Sequence, residues 1–545
     1  MLARGLRCAT GELAVGRLVA AWWGSARARQ GRMAVLAALP VLCAVLPIWS
    51  SRFLPLLDEP NHLSTVYIWH GLTQDASPVQ EFYGLAIAPV SYLSYYGLAW
   101  LLALGVGVEL GHKLALTLSV LALPAVAYGW CRCTGRTRWL ALLTLPLAYS
   151  YSWAHGYHPF NLALVSGLWA LLAQLCLVQK PSLQRWGLAL LAAVVCYFGH
   201  PLPLALLYGG SLIIWALYIR NARGLVQVVS SLLPSMGLLA WQSTQTQVGA
   251  GAWARVLGPE FPVVEPAVWW SRLMDFPAHA VNPWAGTTDS QVIVMVLGAL
   301  VAMGVDAVDR GEQAPNRPPD PALRKHLCLW LSAGGLLLYL GLSEHFHAPV
   351  YMWIARGRLA PVVAFFLIVW TPLAPGARPR LMPLGIMLLL PLLCWLGVST
   401  ALRYRAFGQE LAGMERVLEA CPAGEEVLTL ELGRPEREGE PLHGDYDLPV
   451  FRELPSWVQV VHGGGFTPEG WERPIPFPYV RKRTLAAPAF RHHRRSYRRY
   501  LAVQGYGCVL THQQPDGLKL PGWVRCAEQG GFQLWRRGCP ETLGH

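Results

Sequence analysis

Charge is scarce in this sequence. Of 545 residues only 14% are Asp, Glu, Lys or Arg, against ~25% in soluble domains, so the chain cannot cover itself with water-compatible surface. Zinc-type cysteine spacing is lacking too. Twelve cysteines are scattered singly, most of them inside apolar segments where a thiol acts as a small hydrophobe, and Cys131 and Cys133 enclose one residue only. HGGGF lacks the following helix and lysine of a phosphate-cradling loop, so it reads as a turn between strands. No internal repeat and no buried charge within an apolar run is evident, which argues against a secondary transporter. A cleavable leader is missing as well: the first apolar run begins at Met33, behind Arg4, Arg7, Arg17, Arg27, Arg29 and Arg32, and reads as a signal anchor.

What the sequence does have is apolar residues, 54% of the total, gathered in helix-length blocks between short Arg-bearing loops. Lipid is the solvent such blocks imply. Crossings are expected at 33–49, 112–131, 139–154, 162–178, 187–199, 202–219, 225–241, 291–305, 327–342, 359–374 and 381–400, about eleven in a polytopic α-helical membrane protein. Arg132, Arg136 and Arg138, then Lys180 and Arg185, Arg220 and Arg223, Arg310, Arg317, Arg324 and Lys325, and Arg378 and Arg380 then all fall in cytoplasmic loops. Residues 1–32 become a cytoplasmic N-terminal segment and 33–402 the membrane module. The formal net charge of +12 is thus topological, and no nucleic-acid partner is expected.

One apolar stretch, Ile87 to Val106, breaks this pattern if it spans, because every later basic loop would move outside. It is expected to lie on the outer leaflet, with Tyr92, Tyr95, Tyr96 and Trp100 at the interface. The alternative is that it spans and another short segment does not. Gly199-His200-Pro201 divides the next long apolar run into a helical hairpin with its tip outside. Two outer loops follow from this layout, 50–111 and 242–290. The second is rich in tryptophan and should rest on the membrane through Trp253, Trp269, Trp270 and Trp284.

Beyond Leu402 the composition becomes that of a soluble protein. Residues 403–545 are expected to form an extracytoplasmic α+β domain, with a helix from Tyr404 to Ala420 and strands in EVLTLEL, WVQVVHGGGF, GYGCVLTH and GFQLWRR. Its Cys421, Cys508, Cys526 and Cys539 allow up to two disulfides in three pairings.

Chemistry concentrates at the outer ends of the apolar blocks. LLDEPNHLSTVYIWHG places Asp58 and Glu59 just past the first crossing. A carboxylate there either acts as a general base near a low-dielectric surface or simply caps the helix that follows. His155, His158, Asn161 and His200 come from different blocks yet share one membrane face, where an unsatisfied polar group is costly. In HAPVYMWIARGRLAP, Arg356 and Arg358 run against the positive-inside trend. Each is suited to grip a lipid phosphate, to anchor in headgroups, or to pair with Glu344.

An outer loop that opens on an Asp-Glu pair, with a histidine four residues after the Asp and an aromatic helix beyond, resembles the start of C-type (GT-C) glycosyltransferases, such as protein O-mannosyltransferases and aminoarabinose transferases. The likeness in layout covers about the first 220 residues and rests on Asp58, Glu59 and His62. It implies a transferase that moves a sugar from a polyprenyl-phosphate-linked donor, a membrane lipid, to an acceptor outside the cytoplasmic membrane. Asp58 would then be the base, with Glu59 beside it and His62 among the binding residues. Where that family often carries a further acid, this chain reads SWAHGYHPFN, which offers histidines and weakens a divalent-metal-dependent variant. The second expectation is a non-catalytic binding or assembly protein on the same scaffold.

Overall fold

The computed structural model describes residues 26–218, 221–245, 266–281, 291–300 except 293, 303, 326–342, 355–373, 382–423, 425–431, 451, 454–463, 479–481, 506–512 and 519–538. Trp253, Trp284, Glu344, Cys539 and the second and third glycines of HGGGF lie outside them.

Apolar sequence in long uninterrupted blocks makes helices, and helices dominate. In chain order they are α1 (Ala26–Trp49), α2 (Glu59–Leu72), α3 (Leu93–Val106), α4 (Val108–Thr134), α5 (His158–Gln179), α6 (Leu183–Gly199), α7 (Pro201–Tyr218), α8 (Ala222–Gln245), α9 (Pro266–Ala280), α10 (Leu327–Gly341), α11 (Ala360–Trp370) and α12 (Met382–Leu418). Among the described residues, four helices are long and apolar enough to cross a membrane, namely α4, α5, α7 and α8, and five shorter apolar helices accompany them. The protein is a multi-pass membrane protein on this evidence. Leu188, Leu191, Leu212 and Leu337 lie exposed on α6, α7 and α10, as lipid-facing side chains should.

Several expectations need correction. The crossing expected at 139–154 is instead a 12-residue 3-10 helix, Arg138–Tyr149, with Pro146 inside it. At ~2.0 Å per residue it covers ~24 Å, where an α-helix of that length would cover ~18 Å. The helix expected from Tyr404 to Ala420 is not a separate element, since α12 runs 37 residues without a break from an apolar first half into a polar second half. WVQVVHGGGF is no strand either. It opens within a helix, α13 (Leu454–His462), because Leu454, Trp457, Val458 and Val461 repeat at helical spacing with Pro455 in the first turn.

α3 and α4 meet at Gly107 and pack closely on one another. The approach requires Gly111, where a Cβ would stand 2.5 Å from the Ala103 nitrogen. Tyr95 and Tyr96 on α3 are fully buried rather than interfacial, while Tyr92 and Trp100 are part-exposed, Trp100 stacked on Trp69 with ring centroids 5.2 Å apart. On α9, Trp269 and Trp270 are exposed beside Val268 and Met274, an apolar face suited to a membrane surface.

Of five buried clusters among the described residues, three bring distant parts of the chain together. The largest joins α4, α5, α6, α7, α10 and α11. A second gathers α1, α2, α3, α4 and the 3-10 helix around Tyr95, Tyr96 and Trp153. The third packs Phe53 and Leu63, from the first outer loop, against α12, α13 and two strands of the C-terminal segment. Those strands belong to a four-stranded sheet ordered β2 (Val427–Glu431), β4 (Cys508–His512), β6 (Phe532–Arg536) and β5 (Val524–Gln529). β2 runs parallel to β4, and the other pairs are antiparallel. Of the three possible pairings the structure contains Cys421–Cys508, which ties the end of α12 to β4. A further strand, β3 (Tyr479–Arg481), pairs antiparallel with β1 (Tyr83–Leu85) of the first outer loop.

Candidate active site

The site begins where the chain enters α2. Leu57 and Asp58 donate their backbone N–H groups to the carbonyls of Ala154 and His155, at 3.2 and 3.0 Å, so the Asp-Glu turn is pinned to the loop before α5. The loop can approach this closely because of Gly156. Its φ is +72°, and a Cβ there would lie 2.7 Å from the Glu59 nitrogen. Asp58 is the N-cap residue of α2, and its side chain makes no capping hydrogen bond. The cap reading is therefore overturned: Pro60, within the first turn, already removes one of the donors a cap would satisfy, and the carboxylate is half-buried.

Glu59 faces inward and is 1% exposed. Its Oε2 accepts from the Trp457 indole at 3.0 Å, and its Oε1 lies 3.3 Å from His112 Nε2. Burial of a carboxylate is tolerable only with such partners. His112 in turn sits 3.1 Å from the Tyr95 hydroxyl through Nδ1. One turn along α2, His62 Nδ1 stands 2.7 Å from the Tyr96 hydroxyl, and its ring centroid is 5.2 Å from that of His158. Burial, then the neighbouring His112, holds the His62 pKa well below the usual imidazole range, against an opposing bond to the Gly156 carbonyl. His158 is 1% exposed, and neither of its ring nitrogens has a hydrogen-bond partner among the described residues.

A cation stands beside this acid-and-imidazole cluster. Arg358, 6% exposed, lies with its guanidinium carbon 3.8 Å above the Tyr157 ring centroid and Nη1 3.0 Å from His200 Nε2. A guanidinium has donors only, so Nε2 must accept and His200 is neutral. Burial, with Arg358 adding to it, holds the His200 pKa far down. The Tyr92 hydroxyl reaches the same nitrogen at 3.3 Å. Tyr157 links the two halves: burial raises its phenol pKa most, Arg358 opposes the rise and Asp58 adds to it. His155 stacks on the Tyr157 ring at 5.2 Å, donates from Nδ1 to the Tyr151 carbonyl at 2.9 Å, and has its pKa pushed down to about 3, chiefly by burial.

Asp58, Glu59, His62, His155, His158, His200 and Arg358 are thus gathered into one region from four parts of the chain. Arg356 is not among them. It faces Asp275 of α9 at 3.9 Å and the Tyr339 ring at 5.8 Å. Asn161 accepts from the Ser152 hydroxyl at 2.8 Å and lines a separate cleft of about 310 Å³ with Ser119, Ser150, Trp153 and Leu164. Sequence reasoning missed His112 and Trp457. The first stood in an apolar run as a lone histidine, and the second was assigned to a strand that does not form. As to metals, the one group of three ligating side chains close enough to share an ion, among the described residues, is Cys421, Glu425 and Cys508, and its two sulfurs are joined to each other.

No protein-family model matches the chain, and no curated protein matches it. Two solved structures are similar. One is the arabinofuranosyltransferase AftD from Mycobacteria, with a TM-score of 0.45 and 14% identity, over 93% of this chain and 41% of that one. The other is ArnT from Cupriavidus metallidurans bound to undecaprenyl phosphate, with a TM-score of 0.47 and 12% identity, over 94% of this chain and 99% of that one. The chain therefore spans less than half the length of AftD.

Proposed function

We propose that this chain is a GT-C-like glycosyltransferase that moves a sugar from a polyprenyl-phosphate-linked donor to a hydroxyl acceptor on the outer face of the cytoplasmic membrane. The observation that carries the reading is a buried guanidinium, Arg358, 3.8 Å over the Tyr157 ring, and a carboxylate not used as a helix cap, Asp58, whose backbone is bonded to His155 two residues before that tyrosine. A lipid-linked phosphate needs a cation in a low-dielectric wall, and Arg358 supplies it on an aromatic floor. An acceptor hydroxyl needs a base, and Asp58 supplies that.

In this mechanism the Asp58 carboxylate takes the acceptor's proton as its oxygen attacks the anomeric carbon. The bond from that carbon to the phosphate oxygen breaks, and Arg358 stabilises the anionic polyprenyl phosphate that leaves. Glu59 holds the turn in place, with the Trp457 indole on one oxygen and His112 facing the other. His62, His155, His158 and His200 shape a pocket of neutral imidazoles, and Asn161 and Arg356 stand apart from it. The topology follows the reading: about eleven crossings, a cytoplasmic N-terminus, and residues 403–545 forming an extracytoplasmic α+β domain of the cell envelope.

The test is purified protein with radiolabelled polyprenyl-phosphate sugar. Asp58→Asn keeps the shape and removes the basicity, so turnover should fall ~10²-fold or more with donor binding nearly intact. Arg358→Lys keeps the charge but loses the planar fork, and should weaken donor binding by ~10-fold. An Asp58→Asn protein with wild-type turnover ends the catalytic reading. Saturable donor binding without turnover in the wild type would leave the non-catalytic binding protein in its place.

A further inference from the structure

The C-terminal segment does more than sit beside the membrane helices. One face of α13 sends four side-chain hydrogen bonds into the first outer loop. Ser456 donates to Asn61 Oδ1 at 2.5 Å and Trp457 to Glu59 Oε2 at 3.0 Å. Ser64 donates to Gln459 Oε1 at 2.5 Å, and Gln459 Nε2 donates to the Tyr83 hydroxyl at 2.8 Å. Ser456, Trp457 and Gln459 are at most 2% exposed, so these contacts are made away from water. The three loop positions on α2, Glu59, Asn61 and Ser64, lie within its first two turns, next to Asp58. The β1–β3 pair fixes the same loop a second time.

Trp457 is itself held from two sides. Its ring lies 5.8 Å from that of Phe53, just ahead of α2, and 5.6 Å from that of Phe407 on α12. Its indole N–H then fixes one oxygen of Glu59 while His112 faces the other. A carboxylate with both oxygens engaged cannot rotate, and the residue before it shares its backbone.

We infer that Trp457 is a positioning residue: through the indole–Glu59 hydrogen bond, the C-terminal segment sets the orientation of the Asp58 turn, so that the active site is complete only when α13 is seated on α2. The inference rests on the reading of Asp58 as the base. It also has a mechanical part that does not depend on that reading, namely that α13 clamps the start of α2.

Two measurements on the full chain in lipid nanodiscs separate these parts. Trp457→Phe keeps an aromatic ring between Phe53 and Phe407 and removes only the N–H. Amide hydrogen exchange over residues 59–66 should speed up ~10-fold or more in this variant. Turnover should fall ~10-fold, and the Kd for radiolabelled polyprenyl-phosphate sugar should stay within about twofold, a kcat loss without a binding loss. Glu59→Leu removes the acceptor for the indole, and the double variant should lose no more than the worse single one, because both remove one bond. A merely structural role would lower kcat and donor affinity together, and that result overturns the inference. So does exchange over 59–66 equal to wild type. If the wild type itself transfers no sugar, the glycosyltransferase reading fails, and the exchange result alone decides whether α13 clamps α2. Should Trp457→Phe not assemble, Ser456→Ala removes the neighbouring donor to Asn61 and is read in the same way.

Discussion

A buried imidazole that cannot take a proton makes the folded state sensitive to acid. His62 and His200 have pKa values held well below the usual range, and His155 is pushed to about 3, burial being the main cause in all three. In the unfolded chain each binds a proton below ~6.5, and in the folded chain none does. Stability is therefore fully present above ~6.5 and declines as the pH falls below it, by up to ~1.4 kcal/mol per imidazole at pH 5.5. The denaturation midpoint should be lower at pH 5.5 than at pH 7.5, and His155→Gln should remove part of the difference. Equal midpoints at the two pH values would show that these rings are already charged. At this scale the sequence was informative where residues sit together: Asp58, Glu59 and His62 form a local pattern, and SWAHGYHPFN marks a second. It was silent on His112, because a single histidine in an apolar helix looks the same whether it meets a carboxylate or a backbone carbonyl. Arg356 and Arg358 are two residues apart and could not be separated by sequence, yet one faces α9 and the other the phenol of Tyr157.

Between elements, close approach decides what can be substituted. The loop before α5 meets the start of α2 through Gly156, in a left-handed conformation and with no room for a Cβ. Gly156→Ala should destabilise the protein by about 1–3 kcal/mol and disturb Asp58 as well, which thermal unfolding and turnover would both register. An Ala variant as stable and as active as the wild type would mean that the two segments part easily. The helices were legible from apolar length, within a few residues at most ends. The 3-10 helix Arg138–Tyr149 was not, since its residues suit either helix and its rise is set by the distance it has to cover. α13 was misread for another reason. Four apolar residues in seven satisfy an alternating pattern partly and a helical stripe fully, and only Pro455 in the first turn favours the helix.

For the whole molecule, orientation follows from where the basic loops lie, and one segment governs it. α3 is 14 residues, ~21 Å of helix, and doubles back onto α4 at Gly107. That length is short of a crossing, so the N-terminus and the loop holding Arg132, Arg136 and Arg138 should share the cytoplasmic side. A cysteine placed at position 136, on a background without native thiols, should react with an impermeant reagent only after the membrane is opened. Labelling from outside in intact cells would reverse the orientation of the chain from α4 onward.

The bond between Trp457 and Glu59 spans 398 positions of sequence. A ribosome adding ~5–20 residues per second needs ~20–80 s to travel that far. Throughout that interval the newly made Asp-Glu turn stands without the indole that will hold it, and Asn61 and Ser64 wait for their partners as well. Closure of Cys421 with Cys508 comes later still, when β4 has been made. The Asp58–Glu59 turn is therefore made long before the segment that seats it, and it stays unseated until Trp457 has been synthesised and folded onto α2.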